Sequence, residues 1–404
     1  MRQMSARDDK LLSRLAMLMV KHPLASVLRT RGCGEFASVR PLTVVIVGNT
    51  PYIVSAVIDS LPADFPYFLV GHRNIAFLRR SKRCLQYFVN DLALEEDNKA
   101  DFIQTIERLG SGTNSSMLLI PVDDSANRIL HSTRGRLDVS YYPMPDSNSF
   151  EMLNDKWRFH QYCSKLGARV PTAIRLNNKA EIGFDDVCAR VGLPFVLKPT
   201  NKSNCVGFRI IHSKKQFNET ILSNRTYNFS PLIAQTFIPG IDIDISILAN
   251  GGHVQNFAVQ IIKENMICFV QNEKLVKFAE AIVRDLCYTG VIHIDARLHD
   301  VSEEVFLIEA NPRFWASLAE ATVSGLNFVR AGICTVLDSQ RSDPTTIYDV
   351  RAPSVRQMLA EIATGRRNYL QLSPQQRYRV NCGARTLIKA LLHLPLAYLI
   401  PPLV

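Results

Sequence analysis

The sequence predicts an α/β protein of at least two domains. From residue 41 onward, short apolar runs rich in β-branched residues alternate with stretches whose apolar residues recur at helical spacing, a pattern typical of sheets covered by helices. The chain has 404 residues, 47% of them hydrophobic and 21% charged, so it can bury two or three ordinary globular cores. We place the domain limits near residues 40, 150 and 330.

The charge and the cysteines narrow the class of protein. The formal net charge is +10, which suits contact with nucleic acid, with an anionic membrane or with nucleotides. No nucleic-acid-binding motif accompanies this charge, so we expect no nucleic-acid partner. The nine cysteines are scattered without a C-x-x-C pair, which favours a reduced, cytoplasmic setting over a disulfide framework.

Residues 1–40 form a basic segment in which Leu11, Leu15 and Leu18 recur at helical spacing. The apolar run is too short and too charged to span a bilayer. It predicts a helical extension that either packs on its own protein or makes a peripheral membrane contact.

Residues 41–150 predict a small Rossmann-like domain. A buried strand, 42–47, runs into Gly48 and a helix at 52–61, and later parallel strands are expected at 67–71 and 117–123. The glycine-rich dinucleotide fingerprint is absent, so the turn at Gly48 is weak support for phosphate binding.

Two apolar runs, 291–297 and 305–315, predict neighbouring strands joined by a polar turn. In a strand alternate side chains share a face, so Glu309 and Asn311 point the same way, and antiparallel pairing can place Asp295 opposite Glu309. Two carboxylates and one amide oxygen are the ligands that Mg²⁺ prefers, and Mn²⁺ is an alternative. The other interpretation is an edge hairpin whose acids are solvated.

Several cations lie where neutral packing would not require them. Lys198 ends the apolar strand 193–199, and burying its ammonium group costs several kcal/mol unless an anion such as phosphate meets it. The polar loop 200–208 follows and could place backbone N–H groups around phosphates, although Lys198 could also extend to solvent from the strand end. Lys263 ends another strand, and Arg313 follows the acidic hairpin, so both are candidate catalytic residues.

Residues 308–318 resemble the metal-binding strand of the ATP-grasp superfamily, which carries a Glu-x-Asn-Pro-Arg motif, although Ala316 stands where glycine is common. The resemblance covers about residues 41–330, with residues 151–330 as the ATP-grasp nucleotide-binding domain. In this family a Rossmann-like domain precedes the nucleotide-binding part and helps to shape the acceptor pocket. The resemblance implies these roles: Lys156 and Lys198 at the ATP phosphates, Val206 and Gly207 in the loop over them, Gln235, Thr236, Phe237 and Ile238 at adenine, Asp242 at ribose, Asp295, Glu309 and Asn311 at Mg²⁺, and Arg313 at the oxyanion of the intermediate.

The activity that this resemblance implies is an ADP-forming, Mg²⁺-dependent ligase. Such an enzyme activates a small-molecule carboxylate as an acyl phosphate and joins it to an amine, or less often to a thiol. Two alternatives stay open: a bicarbonate-activating carboxylase or carbamoyl-phosphate-type enzyme, and a non-catalytic nucleotide-binding scaffold at a membrane surface. A homo-oligomer is compatible with the sequence.

Residues 331–404 predict a helical C-terminal extension with basic pieces and an apolar tail at 387–400. Lys389, His393 and Pro395 interrupt the tail, so it is not expected to span a membrane. It could dock on its own protein, on a partner subunit or at a membrane interface.

Overall fold

A computed structural model gives the structure of the protein. It describes residues 42–62, 65–111, 116–181, 183–203, 205–263, 266–337, 344–353 and 362–365. The predicted N-terminal extension and the apolar tail lie outside these residues. The described residues fall into two compact units: the first takes residues up to Tyr142, Ala316–Arg330 and those from Ala352, and the second takes Pro143–Trp315 and Ala331–Arg351.

The first unit contains a five-stranded parallel sheet, which confirms the predicted Rossmann-like arrangement. Its strands are β1 (Leu42–Val47), β2 (Tyr67–Gly71), β3 (Cys84–Val89), β4 (Ser116–Pro121) and β5 (Ser140–Tyr141), in the order β3-β2-β1-β4-β5. Every pairing is parallel. Its helices are α1 (Pro51–Ser60), α2 (Glu96–Ser111) and α3 (Asp124–Thr133), with a 3-10 helix at Arg73–Arg80.

The turn after β1 is held by an internal carboxylate. Asp123 caps α3 and accepts hydrogen bonds from the backbone N–H groups of Asn49, at 2.6 Å, and Thr50, at 2.7 Å. These are the N–H groups that a phosphate at this turn would need. The turn is therefore a structural link between β1 and α3, in agreement with the absent glycine fingerprint.

The second unit contains a large, mainly antiparallel sheet and a smaller antiparallel one. The helices that accompany them are α4 (Ser147–Asn154), α5 (Lys156–Lys165), α6 (Phe184–Val191), α7 (Lys214–Phe217) and α8 (Glu273–Asp285), with a 3-10 helix at Lys179–Glu181 and a π-helix at Asn218–Leu222. The smaller sheet is formed by β6 (Ala173–Leu176), β7 (Phe195–Pro199), β8 (Arg209–Ile211) and β9 (Leu232–Thr236), in the order β6-β9-β7-β8.

The large sheet has seven strands. They are β10 (Gly240–Asn250), β11 (His253–Lys263), β12 (Met266–Val270), β13 (Gly290–His299), β14 (Val305–Asn311), β15 (Thr345–Thr346) and β16 (Val350–Pro353). The order is β14-β13-β10-β11-β12-β16, and β15 pairs with β11. Two further helices are α9 (Leu318–Val323) and α10 (Phe328–Leu337).

Alternation along β10 and β13 separates two faces of the large sheet. One face is apolar, because Ile243, Ile245, Ile292 and Ile294 are buried in a core with Leu275 and other residues of α8. The opposite face carries the polar residues of the same strands, and it contains the site described below.

The C-terminal segment, which is predicted to be mostly helical, also contains two short strands where it is described. After α10, the chain adds β15 and β16 to the large sheet instead of continuing as helix. Strands of two and four residues carry too little periodicity to be recognised in a sequence. Among the residues that the structure describes, no helix is long and apolar enough to cross a lipid bilayer.

Candidate nucleotide and metal site

The predicted hairpin forms, with β13 and β14 antiparallel and Asp295 directly opposite Glu309. The row continues across the sheet, because Asp295 also pairs with Asp244 on β10, and Asp244 pairs with Gln260 on β11. Residues opposite one another share a face, so three carboxylates and one amide lie side by side. The ladder is irregular just after Asp295.

Glu309 is the centre of the charge cluster. Lys198 Nζ lies 2.8 Å from Glu309 Oε2, and Lys156 Nζ lies 3.7 Å from the same oxygen. Burial alone would raise the pKa of Glu309, but the two ammonium groups together hold it well below its usual value. The carboxylate is therefore ionised, and two cations from different elements converge on it.

The fold holds both lysines inside the protein. Lys198 is the fourth residue of β7, on the smaller sheet, and is 5% exposed. Lys156 begins α5, where the Asp155 side chain caps the helix, and its backbone N–H donates to Thr200 O at 2.9 Å. Its ammonium group also donates to Lys202 O at 2.6 Å. Helix α5 and the loop after β7 are thus joined at the point where the charges meet.

A second chain of contacts begins at Asp295. Asn311 Nδ2 donates to Asp295 Oδ2 at 2.9 Å, and Arg313 Nη2 donates to Asn311 Oδ1 at 2.9 Å. The guanidinium group is buried and also donates to Phe314 O at 2.8 Å. An amide oxygen that accepts one hydrogen bond keeps a second lone pair. The three predicted metal ligands therefore offer two carboxylates and an amide oxygen on one face, a donor set that fits Mg²⁺.

The loop after β7 carries Val206 and Gly207. Val206 is exposed. Gly207 has φ +77°, and a Cβ there would lie 2.8 Å from atoms of Phe229 and of Pro199, so only glycine fits. Tyr227 donates its hydroxyl to Gly207 O at 2.8 Å, which anchors the end of the loop.

The segment from Gln235 to Asp242, which is predicted to contact adenine and ribose, surrounds Arg297. This arginine was not among the predicted site residues. Arg297 donates to Ile238 O at 3.0 Å, to Gly240 O at 2.5 Å and to Asp242 Oδ1 at 2.8 Å. Its guanidinium carbon lies 5.5 Å from the centre of the Phe237 ring. Arg297 therefore fixes the segment that joins β9 to β10.

The other residues of this stretch point to different partners. Gln235 is buried at 2% exposure, and its Nε2 has no hydrogen-bond partner among the described residues. Thr236 instead donates its hydroxyl to Val191 O at 2.7 Å. Lys263 is exposed at the end of β11, and within the described residues it forms no hydrogen bond or ion pair with the cluster around Glu309.

Comparison with known proteins now identifies this part of the chain. A family model of the ATP-grasp domain matches residues 153–317, the range that contains the chain of contacts from Lys156 to Arg313. Residues 153–317 belong to the ATP-grasp superfamily. The predicted fold, a Rossmann-like sheet followed by an ATP-grasp domain, is thereby confirmed.

The proteins to which this chain is similar include ligases and a carboxylase. A D-alanine–D-alanine ligase from Nitrosomonas europaea is 28% identical over 119 residues, which are 29% of this chain and 38% of that ligase. An L-amino acid ligase from Bacillus licheniformis has 12% identity and a TM-score of 0.57, over 74% of this chain and 75% of that one. A biotin carboxylase from Campylobacter jejuni in a β-γ-ATP complex has 12% identity and a TM-score of 0.56, over 74% and 72%. At such identities the solved structures share the fold.

Three further polar residues of the ATP-grasp domain were not among the predicted site residues. His293 lies two residues before Asp295, and its Nε2 is 3.2 Å from Asp295 Oδ1 and 3.9 Å from Asp244 Oδ2. Ser246 Oγ lies 2.9 Å from His293 Nδ1. Asp244, His293 and Asp295 also offer ligand atoms within 4.8 Å of one another, close enough to hold a metal ion.

Burial and charge compete at this triad. Burial raises the pKa of Asp244, and the neighbouring Asp295 charge raises it further. Burial would lower the pKa of His293, but Asp295 and Asp244 together raise it above its usual value. The alternation Asp242, Asp244, Ser246 on β10 was the available signal, but a solvent-facing strand gives the same pattern.

Proposed function

We propose that this chain is an ADP-forming ligase that uses ATP and Mg²⁺ to activate a carboxylate as an acyl phosphate and to join it to an amine. The observation that carries the proposal is the convergence of Lys198 and Lys156 on Glu309. Buried cations persist only where anions meet them, and one carboxylate does not offset two ammonium groups. A nucleotide polyphosphate supplies the missing negative charge.

The cluster suits phosphoryl transfer by its balance of charges. Around Glu309, the ammonium groups of Lys156 and Lys198 bring two positive charges against the one negative charge of its carboxylate. We assign the two lysines to the phosphates, where they offset charge that spreads over the transferring group. Mg²⁺ held by Asp295, Glu309 and Asn311 would add further charge neutralisation.

The proposed reaction has two steps. An oxygen of the substrate carboxylate attacks the γ-phosphorus of ATP, the bond to the β-phosphate oxygen breaks, and ADP leaves. The amine nitrogen then attacks the acyl carbon, phosphate leaves with the attacking oxygen, and the nitrogen loses a proton. We assign Arg313 to the oxyanion that forms in the second step, and Lys263 stays a candidate for contact with substrate or γ-phosphate.

The nucleoside part of ATP is proposed to lie along the segment from Gln235 to Asp242. The buried, unpartnered Gln235 Nε2 supports a donor for the base, and the exposed Asp242 carboxylate supports a ribose contact. Arg297 would hold this segment in place. Val206 and Gly207 are proposed to close over the phosphates.

The relatives support amino-acid-like substrates without fixing them. The D-alanine–D-alanine ligase is matched over 38% of its length, so its substrates are only a guide. A second candidate function is a bicarbonate-activating enzyme, which the likeness to biotin carboxylase favours. We further propose that the protein is cytoplasmic. We also propose that its domains divide near residues 40, 150 and 330.

The test is a screen for ADP and phosphate release with ATP, Mg²⁺ and pairs of small carboxylates and amines. The carboxylate carries oxygen-18, because its attack on phosphorus transfers that oxygen to the released phosphate. We expect labelled phosphate and a product whose mass is the sum of both substrates less one water. Release that requires bicarbonate instead would support the second candidate. Binding of ATP without release in any mixture would contradict a catalytic function.

A further inference from the structure

His293 is held from three sides within the ATP-grasp domain. It is 8% exposed, and its ring stacks on Trp315 with centroids 5.6 Å apart and planes at 9°. Ser246 Oγ lies 2.9 Å from Nδ1, and Asp295 Oδ1 lies 3.2 Å from Nε2. Both ring nitrogens are therefore engaged, and the ring cannot turn without losing one of these contacts.

These contacts define a consistent set of donors and acceptors. The Asp295 carboxylate only accepts, so His293 Nε2 carries a hydrogen that faces Asp295 Oδ1, and Nδ1 shares a hydrogen bond with the Ser246 hydroxyl, which can donate or accept. The other oxygen of Asp295 faces Asn311, whose Nδ2 lies 2.9 Å away. The two oxygens of Asp295 thus have different partners, and the carboxylate has one defined orientation.

The position of Asp244 indicates that the contacts of His293 do more than fill space. Asp244 is directly opposite Asp295 in the ladder, and like charges at such positions repel. His293 Nε2 lies 3.2 Å from one of these carboxylates and 3.9 Å from the other, so its hydrogen faces both acids. Without this donor, Asn311 alone would hold the Asp295 side chain against the repulsion from Asp244.

We infer that Ser246 and His293 are positioning residues that orient the Asp295 carboxylate toward a divalent ion. The inference rests on the proposed function, because it assumes that Asp295 and Glu309 hold that ion. Hydrogen bonds donated to a carboxylate ligand fix its direction, and loss of such outer contacts typically weakens metal binding about 10- to 100-fold. Neither residue touches the substrate in this assignment.

The test measures Mn²⁺ binding to the full chain in the presence of ADP, by electron paramagnetic resonance of the free ion. His293→Phe keeps an aromatic ring to stack on Trp315 and removes both nitrogens, and we expect about 10- to 100-fold weaker Mn²⁺ binding. His293→Gln restores a donor near the position of Nε2 and should recover most of the affinity. Ser246→Ala, a smaller change, should weaken binding by less than His293→Phe.

Two controls separate orientation from general damage. His253→Phe changes an exposed histidine at the start of β11 and should leave Mn²⁺ binding unchanged. ADP affinity measured with the metal chelated should be equal in all variants, whereas a merely structural defect would weaken it together with Mn²⁺ binding.

The outcomes are distinct. Weaker Mn²⁺ binding in His293→Phe and Ser246→Ala, recovery in His293→Gln and constant ADP affinity would support the inference. Equal Mn²⁺ affinity in wild type and Ser246→Ala and His293→Phe would overturn it and leave the proposed function intact. Parallel losses of ADP and Mn²⁺ binding would overturn it in favour of a structural role. Absence of Mn²⁺ binding in the wild type would overturn both.

Discussion

The two faces of the large sheet are built by the same strands, but one face is apolar and the other carries charged and polar side chains. Ile245 and Ile294 pair across β10 and β13, are fully buried, and belong to the core with α8. Asp244 directly precedes Ile245 on β10, and Asp295 directly follows Ile294 on β13. These two acids pair on the opposite face, where they form part of the site. The alternation of side chains along each strand therefore places a residue either in the apolar core or on the face of the candidate site.

This division has an energetic meaning. A fully buried isoleucine contributes roughly 1.5–3 kcal/mol, so the apolar face supplies stability. The polar face contributes less to stability, since the cost of burying each ion offsets much of the attraction between paired charges. We therefore expect substitutions on the polar face to change binding and turnover, and substitutions on the apolar face to change the free energy of unfolding.

The largest effect is expected at Glu309. Glu309→Gln keeps the shape of the side chain and removes the charge that faces Lys198, so turnover should fall by at least about 1,000-fold, at the upper end of losses from one electrostatic contact. The measurement is ADP release with the substrate pair that the screen identifies. Circular dichroism should show an intact fold.

Glu304→Gln is the matched control. Glu304 lies in the turn of the same hairpin, where it pairs with Arg169 at 3.0 Å and Lys274 at 3.1 Å. Its substitution should leave turnover within about twofold, because exposed ion pairs contribute little. Equal losses in both variants would remove the special position of Glu309 and with it the proposed mechanism.

The apolar face gives the next effect. Ile294→Ala should lower the free energy of unfolding by about 3 kcal/mol, through lost burial and the cavity left beneath α8. Urea unfolding measures the loss, and ADP affinity of the folded fraction should be unchanged. A large loss of affinity with little loss of stability would show that the two faces are not separate.

Neighbouring residues of β7 extend the comparison to the smaller sheet. Leu197 is fully buried in the core of that sheet, whereas Lys198 points to Glu309. Lys198→Gln should weaken ATP binding roughly 10- to 100-fold, since a hydrogen bond from a charged donor contributes about 1.5–3 kcal/mol. Leu197→Ala should instead lower stability by about 3 kcal/mol. Calorimetric titration and urea unfolding distinguish the two, and interchanged effects would contradict the assignment.

The part of the site whose residues lie close together along the chain could be predicted from the sequence. Glu309 and Asn311 are two residues apart, and Asp295 belongs to the adjacent strand of one hairpin, so local alternation predicts their shared face. Lys198 was also predictable, because an ammonium group at the end of an apolar strand needs an anion. The parallel sheet followed from strands and helices in alternation.

The remainder depends on pairings that alternation does not reveal. Ser246 and His293 are 47 residues apart, and only the register of β10 against β13 places them together. Arg297 was missed for the same reason, since its partners Ile238 and Gly240 precede it by 59 and 57 residues. The short strands β15 and β16 were missed because two and four residues are too few to show the alternation of apolar and polar side chains.

The smallest effect concerns the loop beside the polar face. Cys205 and Cys287 are the exposed cysteines of the described chain, and both have positive φ, +56° and +45°. The Cys205 thiol is close enough to the site for the charges of Glu309 and Asp295 to act on it. Cys287 lies in the turn between α8 and β13. If the loop covers ATP phosphates, nucleotide should slow alkylation of Cys205 by about fivefold or more and leave Cys287 unchanged.

The pH dependence gives this experiment a second readout. Cys205 is exposed as a residue, but partial burial of its sulfur raises the pKa of the thiol, and the charges of Glu309 and Asp295 raise it further. The thiolate is the reactive form, so alkylation without nucleotide should accelerate as pH rises and continue to accelerate above the usual thiol pKa of about 8.5. Peptide mass mapping follows both cysteines in one sample. Equal protection of Cys205 and Cys287 by ATP would indicate a general tightening of the protein and would argue against a phosphate-covering loop.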